Sequence, residues 1–198
     1  MKNQMVKFGL ILALICFTAT LVLAVTYQVT KPKIDEELRV EEEAALKIIL
    51  PEADSFNAKS VGGIEYFDAL KGRNLIGYCI RVTGAGYNGF MRIVAGIDTA
   101  GVIKGVEVLE HHETPGLGAR IDEIMPGEKD AWFLRQFVGK SARTIMIKRD
   151  IDAITGATIS SKAVVDAVNR TVNDFFSKVN PALSMNSVSD SRKGGVKR

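Results

Sequence analysis

The feature that most constrains this chain is an uncharged apolar run near its N-terminus. Residues 8–30 read FGLILALICFTATLVLAVTYQVT and contain no charged side chain. A helix of about 20 apolar residues spans the hydrocarbon core of a bilayer. The run is also longer than the apolar region of about 7–15 residues that is typical of a signal peptide. We therefore expect residues 1–30 to form an uncleaved transmembrane anchor, with everything that follows on one side of the membrane.

Lysines flank this run on both sides, so charge alone gives little information on its orientation. Lys2 and Lys7 precede it, and Lys31 and Lys33 follow it. Positive charge favours the cytoplasmic side, and the two sides are balanced here. The short N-terminal tail favours an N-terminus inside and a soluble domain on the outer face.

Composition excludes several functional classes. The chain has 26 basic and 23 acidic residues, a net charge of +3, and we find no basic face with interleaved aromatics of the kind that binds nucleic acid. Two cysteines, Cys16 and Cys79, are too few for a disulfide scaffold or a thiolate-ligated cluster. We interpret both as buried structural thiols.

The pattern of polar, apolar and helix-breaking residues divides the chain after residue 30 into three parts. Residues 31–59 are predicted to be a helical stalk and linker that begins near Pro32, carries six acids between positions 35 and 43, and ends at Pro51. Residues 60–180 are predicted to be one domain. The polar, glycine-containing segment 181–198 is predicted to be a disordered basic tail.

The domain alternates short strand-like stretches with helices near its end. GIEYFDAL, NLIGYCIRVTG, FMRIVAGIDTAGVIKGVEVLEHHE and RTIMIKRDID alternate apolar and polar residues as strands do. In the second stretch, Ile76, Tyr78, Ile80 and Val82 are expected to share one face. An apolar stripe after position 160 predicts an amphipathic helix. The fold class is therefore α+β: one transmembrane helix followed by a domain with a mainly antiparallel sheet and flanking helices.

The stretch DAITGATISS, residues 152–161, gathers hydroxyl groups ahead of the last helix. We expect that helix to begin near Ser160 or Ser161, with Thr158 in or just before its first turn. One interpretation is that the hydroxyls cap the helix. The other is a phosphate site, because a helix N-terminus attracts anions and the small Gly156-Ala157 pair leaves room beside Thr158.

Two further stretches are rich in glycine. EHHETPGLGAR, residues 110–120, predicts an exposed turn that is either a plain loop or a place where backbone N–H groups meet a flat or anionic ligand. Zinc binding is disfavoured because the adjacent His111 and His112 point to opposite faces of an extended chain. GAGYNGF, residues 84–90, lies between strands and is not followed by a helix, so it fails as a dinucleotide fingerprint. No Ser–His–acid arrangement supports a hydrolase.

GYNG, HHETPGLG and DAITGATISS, in this order and spacing, resemble the FMN-binding domain family of membrane electron-transfer complexes. The resemblance is closest to the G subunits of Rnf (Rsx) complexes, and it covers roughly residues 60–178. The C subunits of the Na⁺-translocating NADH:quinone reductase are longer members of the same family.

The resemblance implies a covalent flavin. In the family motif D-x-x-(S/T)-G-A-T the last threonine carries FMN through a phosphoester bond, and Thr158 occupies that position. A separate flavin transferase with FAD as donor is expected to make the bond, so the resemblance implies no catalytic residue in this chain, and the sequence itself indicates no metal ligand. The implied cofactor-binding residues are Asp152, Thr155, Gly156, Ala157, Glu113, Thr114, Gly116, Leu117, Gly118, Tyr87 and Gly89.

The function implied by the resemblance is a membrane-anchored electron-transfer subunit of an ion-translocating ferredoxin:NAD oxidoreductase. Its partners would be the other subunits of the complex and the flavin transferase, in the cytoplasmic membrane of a bacterium or archaeon. Three alternatives remain open: a subunit of a Na⁺-translocating NADH:quinone reductase, a non-redox ligand-binding protein, and an assembly subunit whose flavin site is vestigial.

Overall fold

A computed structural model describes residues 2–179, and the predicted basic tail at 181–198 lies outside the described residues. The chain divides into two compact units between Glu43 and Ala44. Helix α1, Lys2–Ile49, supplies the first unit and the opening residues of the second.

Helix α1 exposes its apolar side chains over most of its length, as a lipid-facing helix does. The stretch Val6–Ile49 is long and apolar enough to cross a membrane, with a mean hydropathy of 2.7 in its most apolar window. Cys16 is exposed on this helix, so our interpretation of Cys16 as a thiol buried by other residues of the chain is wrong. The helix start predicted near Pro32 is also wrong, because α1 continues through this residue. A proline inside a helix removes one backbone hydrogen bond, and the good helix formers that follow it sustain the helix.

Five antiparallel strands form the sheet of the second unit. They are β1 Ser55–Val61, β2 Ile64–Lys71, β3 Asn74–Ala85, β4 Phe90–Asp98 and β5 Ile103–Glu110. Each strand pairs with its neighbour in the sequence, giving the order β1-β2-β3-β4-β5. A 3₁₀ helix at Gly118–Ile121, a short helix α2 at Trp132–Arg135 and the long helix α3 at Thr158–Val179 follow. The predicted α+β fold with a mainly antiparallel sheet is confirmed.

Helix α3 covers one face of the sheet and builds the larger core there. Phe175 is fully buried, and its ring lies 4.9 Å from that of Tyr66 and 5.1 Å from that of Tyr78, both edge-on. Ile80 and Val82 of β3 belong to the same core. This packing fixes the position of α3 over the sheet, and with it the position of the residues at the start of α3.

The other face of the sheet is covered by residues 44–50, at the end of α1. Leu46, Ile49 and Leu50 form a second core with side chains from the sheet. Gly96 and Gly105 make this possible, because a Cβ on Gly96 would lie 1.9 Å from Ile49 Cγ2 and one on Gly105 would lie 3.2 Å from Ile49 Cα.

Three details of the sheet differ from the sequence expectations. Ile76 packs in the second core and not beside Tyr78, because the pairing of β2 with β3 shifts between Ala69 and Leu70 and leaves Ile76 as an extra residue. Strand β1 begins ahead of residue 60 and is mostly exposed, so it lacks the apolar alternation that marks a half-buried strand.

The third difference is that residues 143–152 form turns and not the predicted strand. Their backbone groups bond locally: Asp150 N–H donates to Met146 O at 2.9 Å, and Lys148 N–H donates to Ile151 O at 2.8 Å. The Asp150 carboxylate also accepts Met146 N–H at 2.9 Å. These bonds occupy the groups that a ladder would have used.

The buried thiol of Cys79 gives a first testable expectation. Its side chain lies on the face of the sheet that residues 44–50 cover and is fully buried there, and burial raises the pKa of the thiol to about 12. Since the thiolate is the reactive form, Cys79 in the folded full-length protein should resist iodoacetamide at pH 8 and react only in denaturant. Peptide mass analysis before and after unfolding measures this. Rapid labelling of Cys79 in the native protein would contradict the packing described.

Glu107 on β5 gives an expectation for pH. Burial, with the negative charges of Asp130 and Asp122, raises the pKa of the Glu107 carboxyl above its ordinary value. The folded state therefore holds this proton more tightly than the unfolded state, and stability falls as pH rises from the ordinary carboxyl range through the raised pKa. Glu107→Gln should accordingly stabilise the protein at pH 7.

This gain from Glu107→Gln should disappear below about pH 4, where the carboxyl is protonated in both states. Denaturant unfolding of the full-length wild-type protein and the variant at both pH values tests it. An equal effect at both pH values would show that the charge of Glu107 is not the cause.

Candidate functional site

The three stretches singled out in the sequence meet around one cavity of about 440 Å³ in the second unit. This size lies within the range of about 300–1,000 Å³ that small-molecule sites occupy. The residues that line it are Tyr87, Glu113, Thr114, Leu117, Gly118, Gly156, Ala157, Thr158, Ile159 and Ser160.

The start of α3 forms one wall of this cavity. The helix begins at Thr158, two or three residues earlier than the predicted start near Ser160 or Ser161. The Ala157 carbonyl accepts the N–H of Ser161 at 2.9 Å, so Ala157 is the N-cap residue and has no side-chain oxygen to cap the helix. The first N–H groups of α3, from Thr158 onward, therefore lack partners inside the helix.

The hydroxyl groups of this stretch fall into two classes. The Ser161 hydroxyl donates to Ala157 O at 2.9 Å and accepts Ile154 N–H at 3.0 Å, which closes the loop before the helix. Thr155 and Thr158 are exposed residues, and their hydroxyls form no hydrogen bond with any residue that the structure describes. Helix capping therefore does not explain Thr158, whose hydroxyl is free at the cavity.

Glu113 is a buried acid in the second stretch. Glu113 is only 5% exposed to solvent. Its Oε2 accepts the Ser160 hydroxyl at 2.5 Å, and its Oε1 accepts Asn88 N–H at 3.2 Å. One carboxylate thus joins the GYNG turn, the HHETPGLG loop and the first turn of α3.

The loop after Glu113 is a tight turn. Thr114 O accepts the N–H groups of Leu117 at 3.1 Å and Ala119 at 3.2 Å. Gly116 has φ +74°, a conformation that favours glycine. The turn leaves Leu117 about half exposed at the cavity, where its Cδ2 lies 3.2 Å from the position that a Cβ on Gly156 would take.

The two histidines have separate environments. His111 Nδ1 accepts Glu113 N–H at 3.2 Å, which leaves Nε2 to carry the proton toward Asp122 Oδ2 at 3.1 Å. His112 is exposed, and its backbone oxygen accepts the Asn88 side-chain amide at 2.7 Å. Within residues 2–179, no group of three or more His, Cys, Asp or Glu side chains is arranged to hold a metal ion.

Four of the residues implied by the resemblance do not line the cavity. Asp152 is exposed, and its backbone exchanges two hydrogen bonds with the Gln136 side chain. Thr155 lines a second cavity beside Trp132. Gly89 closes the GYNG hairpin by accepting Gly86 N–H at 2.8 Å, and Gly116 forms the turn described above.

Sequence reasoning missed three residues of the site. Ile159 and Ser160 line the cavity, and Asn88 supports Glu113 through its backbone. The only available signal was that Asn88 lies inside GYNG and that the other two directly follow Thr158. Their roles depend on pairing with Glu113, which is 47 residues from Ser160.

This fold and cavity are of the class described as an FMN-binding domain, whose family model matches residues 86–173. A second model, the RnfG N-terminal region, matches residues 1–49. Two relatives extend over most of the chain. The G subunit of a proton-translocating ferredoxin:NAD(+) oxidoreductase complex from Clostridium ljungdahlii is 30% identical over 81% of this chain and 86% of its own length. The G subunit of a Na(+)-translocating ferredoxin:NAD(+) oxidoreductase complex from Acetobacterium woodii is 32% identical over 85% and 90%.

The chain therefore belongs to the family of G subunits of ion-translocating oxidoreductase complexes. Among solved structures, the C subunit of a Na(+)-translocating NADH-quinone reductase from Parabacteroides distasonis covers 55% of this chain and 59% of its own, with 24% identity and a TM-score of 0.45. Membership of this family, together with the apolar helix α1, indicates that the chain is anchored in a membrane.

The cavity fits FMN in three respects. Its volume suits a ligand of that size. Thr158 offers a hydroxyl without a partner in the described part of the chain, beside N–H groups that lack partners inside the helix and suit a phosphate. Apolar side chains are exposed there to cover a flat ring. Tyr87 is 70% exposed, Ile159 58% and Leu117 48%.

Proposed function

We propose that this chain is the electron-transfer subunit of an ion-translocating ferredoxin:NAD(+) oxidoreductase complex and that it carries FMN on Thr158 through a phosphoester bond. The observation that carries the proposal is Thr158, an exposed residue that lines the cavity where the three family motifs meet and whose hydroxyl forms no hydrogen bond within residues 2–179. Family membership and the names of the two relatives support the assignment to this kind of complex.

The bond to Thr158 would form by transfer from FAD, catalysed by a separate flavin transferase. The Thr158 oxygen forms a bond to the phosphorus of the FMN half, the pyrophosphate bond breaks, AMP leaves, and the hydroxyl proton passes to a base of the transferase. Thr158 is then an acceptor and needs no activating base in this chain. Its exposure and the small neighbours Gly156 and Ala157 leave access for the other enzyme.

The residues around Thr158 would hold the cofactor in distinct ways. The N–H groups at the start of α3 would stabilise the phosphodiester charge. Tyr87, Leu117 and Ile159 would cover apolar surface of the ring. Bound FMN supplies the capacity to accept and release electrons, and the protein supplies its position and electrostatic environment.

Thr155 and Asp152 are proposed to serve attachment rather than binding. Both belong to the motif D-x-x-T-G-A-T, yet neither lines the Thr158 cavity. Both are exposed on the loop that leads into α3, where the transferase could recognise them.

The soluble domain is proposed to lie on the outer face of the membrane, where the covalent bond would prevent loss of the flavin. The translocated ion is proposed to be selected by other subunits. The two relatives are named for different ions, and residues 8–30 of this chain contain no ionisable side chain other than Cys16 and Tyr27.

The test of the proposed function is ferredoxin-dependent reduction of NAD(+) by membranes that contain the complete complex. Complexes with Thr158→Val should assemble with this subunit present but lose this activity, and Thr158→Ser should keep it because the hydroxyl remains. Full activity of the Thr158→Val complex would contradict the proposal and favour the binding-protein or assembly-subunit alternatives.

A further inference from the structure

The carboxylate of Glu113 is the point where three separated segments are joined. Asn88 N–H donates to one oxygen and the Ser160 hydroxyl donates to the other. The Glu113 N–H donates to His111 Nδ1. The acid is thus fixed at its backbone and at both carboxylate oxygens, on the wall of the Thr158 cavity.

Two glycines reserve the space that this carboxylate occupies. A Cβ on Gly86 would lie 2.0 Å from Glu113 Oε1, and a Cβ on Gly118 would lie 2.3 Å from Glu113 Oε2. Since Cβ atoms do not approach other atoms closer than 3.0 Å, any other residue at either position would displace the acid. The backbone at Gly86 and the backbone at Gly118 therefore both lie directly against the Glu113 carboxylate.

The negative charge of Glu113 is not required to hold the segments together. A glutamine at this position could accept Asn88 N–H with its carbonyl and donate to Ser160, whose hydroxyl can accept as well as donate. Burying a charge costs more free energy than burying an amide. The fold bears this cost although a neutral residue would make the same two contacts, which points to a use for the charge in the cavity.

Glu113 also has no basic side chain beside it, among the described residues, that would neutralise its charge. None of the residues that line the cavity carries a positive charge, and no ion pair joins Glu113 to a basic side chain in the part of the chain that the structure describes. The Ser160 hydroxyl and the Asn88 N–H stabilise the carboxylate but leave its net charge in place. A fixed negative charge therefore faces any occupant of the cavity.

We propose that Glu113 is the potential-determining residue of this site: its fixed negative charge makes the reduction of the flavin less favourable. The inference rests on the proposed function, because it requires a flavin in the cavity. Reduction adds electrons, and a nearby negative charge opposes them. At an effective dielectric constant of about 20, one charge on the wall of a cavity of this size changes a one-electron equilibrium by roughly tenfold, which corresponds to about 59 mV.

The test is an anaerobic redox titration, at pH 8, of full-length protein produced together with a flavin transferase. Glu113→Gln should retain covalent flavin and shift its midpoint potential to a more positive value, by roughly tenfold in the equilibrium constant. Glu107→Gln is the matched control, since it removes a glutamate charge from the same domain but outside the cavity lining. Its potential should equal that of the wild type.

A second variant gives a shift of the opposite sign. Ser160→Ala removes the donor to Oε2 but leaves the carboxylate, so the negative charge is less compensated and the potential should become more negative. A loosened structure alone would not move the two variants in opposite directions. If Glu113→Gln lost its flavin, Ser160→Ala would decide the question: a more negative potential supports the inference, and an unchanged or more positive one overturns it.

Flavin content separates failure of this inference from failure of the proposed function. Wild-type protein that carries covalent flavin, with Glu113→Gln at the wild-type potential, would overturn the role of Glu113 alone. Wild-type protein without flavin, with the transferase shown active on another acceptor, would overturn the proposed function and this inference with it.

Discussion

Replacing Thr158 with valine is expected to abolish covalent flavin completely. Valine has nearly the shape of threonine but lacks the oxygen that would form the phosphoester. Because the Thr158 hydroxyl makes no hydrogen bond with the described residues, its removal should leave the fold and its stability unchanged. The measurement is flavin fluorescence of the denatured protein on a gel, after production together with a flavin transferase.

Two controls make the Thr158 result specific. Thr158→Ser keeps a hydroxyl in the same place and should remain fluorescent. Thr99→Val removes a threonine hydroxyl from the exposed turn between β4 and β5, outside the cavity lining, and should also remain fluorescent. A fluorescent Thr158→Val band would place the bond elsewhere. A dark wild-type band, beside an active transferase, would favour a non-redox binding protein.

Replacing Gly118 with alanine is expected to have the second large effect, because it removes the space on which the cavity wall depends. The added Cβ would lie 2.3 Å from Glu113 Oε2 and 2.6 Å from Ser160 Oγ. Glu113 is buried and hydrogen-bonded at both oxygens, so it cannot move aside without losing a bond. Overpacking of this kind costs about 1–3 kcal/mol, and the start of α3 should shift with Ser160.

Gly118→Ala should therefore lower the free energy of unfolding and reduce the yield of covalent flavin together. Denaturant unfolding and fluorescence of the denatured band measure the two effects. Gly84→Ala is the matched control with a milder effect, because its Cβ would meet the nearest atom, Ala167 Cβ, at 3.3 Å, a tight contact that a shift of a few tenths of an ångström relieves. Equal stability and equal flavin yield for the two variants would contradict the packing described around Glu113.

The parts of the fold that the sequence predicted are those with a strong apolar pattern. The alternating strands β2 to β5 and the apolar stripe of α3 each follow from which side of an element is buried, and the anchor in α1 follows from the length of its uncharged run. Strand β1 cannot be predicted from apolar alternation because it is mostly exposed. Residues 143–152 have the apolar and polar alternation of a strand, but their backbone groups form local hydrogen bonds, so they fold into turns. A one-residue shift in strand pairing, such as the one at Ile76, cannot be predicted from the amino-acid composition of the strand.

The candidate site was predictable at the level of motifs but not at the level of contacts. Gly156, Ala157 and Thr158 are adjacent in sequence, so one pattern revealed them all. The bond between Ser160 and Glu113 joins residues 47 positions apart, and only the folded chain brings them together. The same bond accounts for the Ser160 hydroxyl, and the bonds to Ala157 and Ile154 account for that of Ser161. Of the two threonines of the DAITGATISS stretch, both without a hydrogen-bond partner among the described residues, only Thr158 lines the cavity.

The most direct measurement of the central claim is peptide mapping by mass spectrometry of the full-length protein purified from membranes that contain the flavin transferase. We predict that the peptide containing Thr158 gains the mass of one FMN less one water and that fragmentation places this mass on Thr158. A peptide with Thr158 unmodified, or with the added mass on Thr155 or a serine, would contradict it.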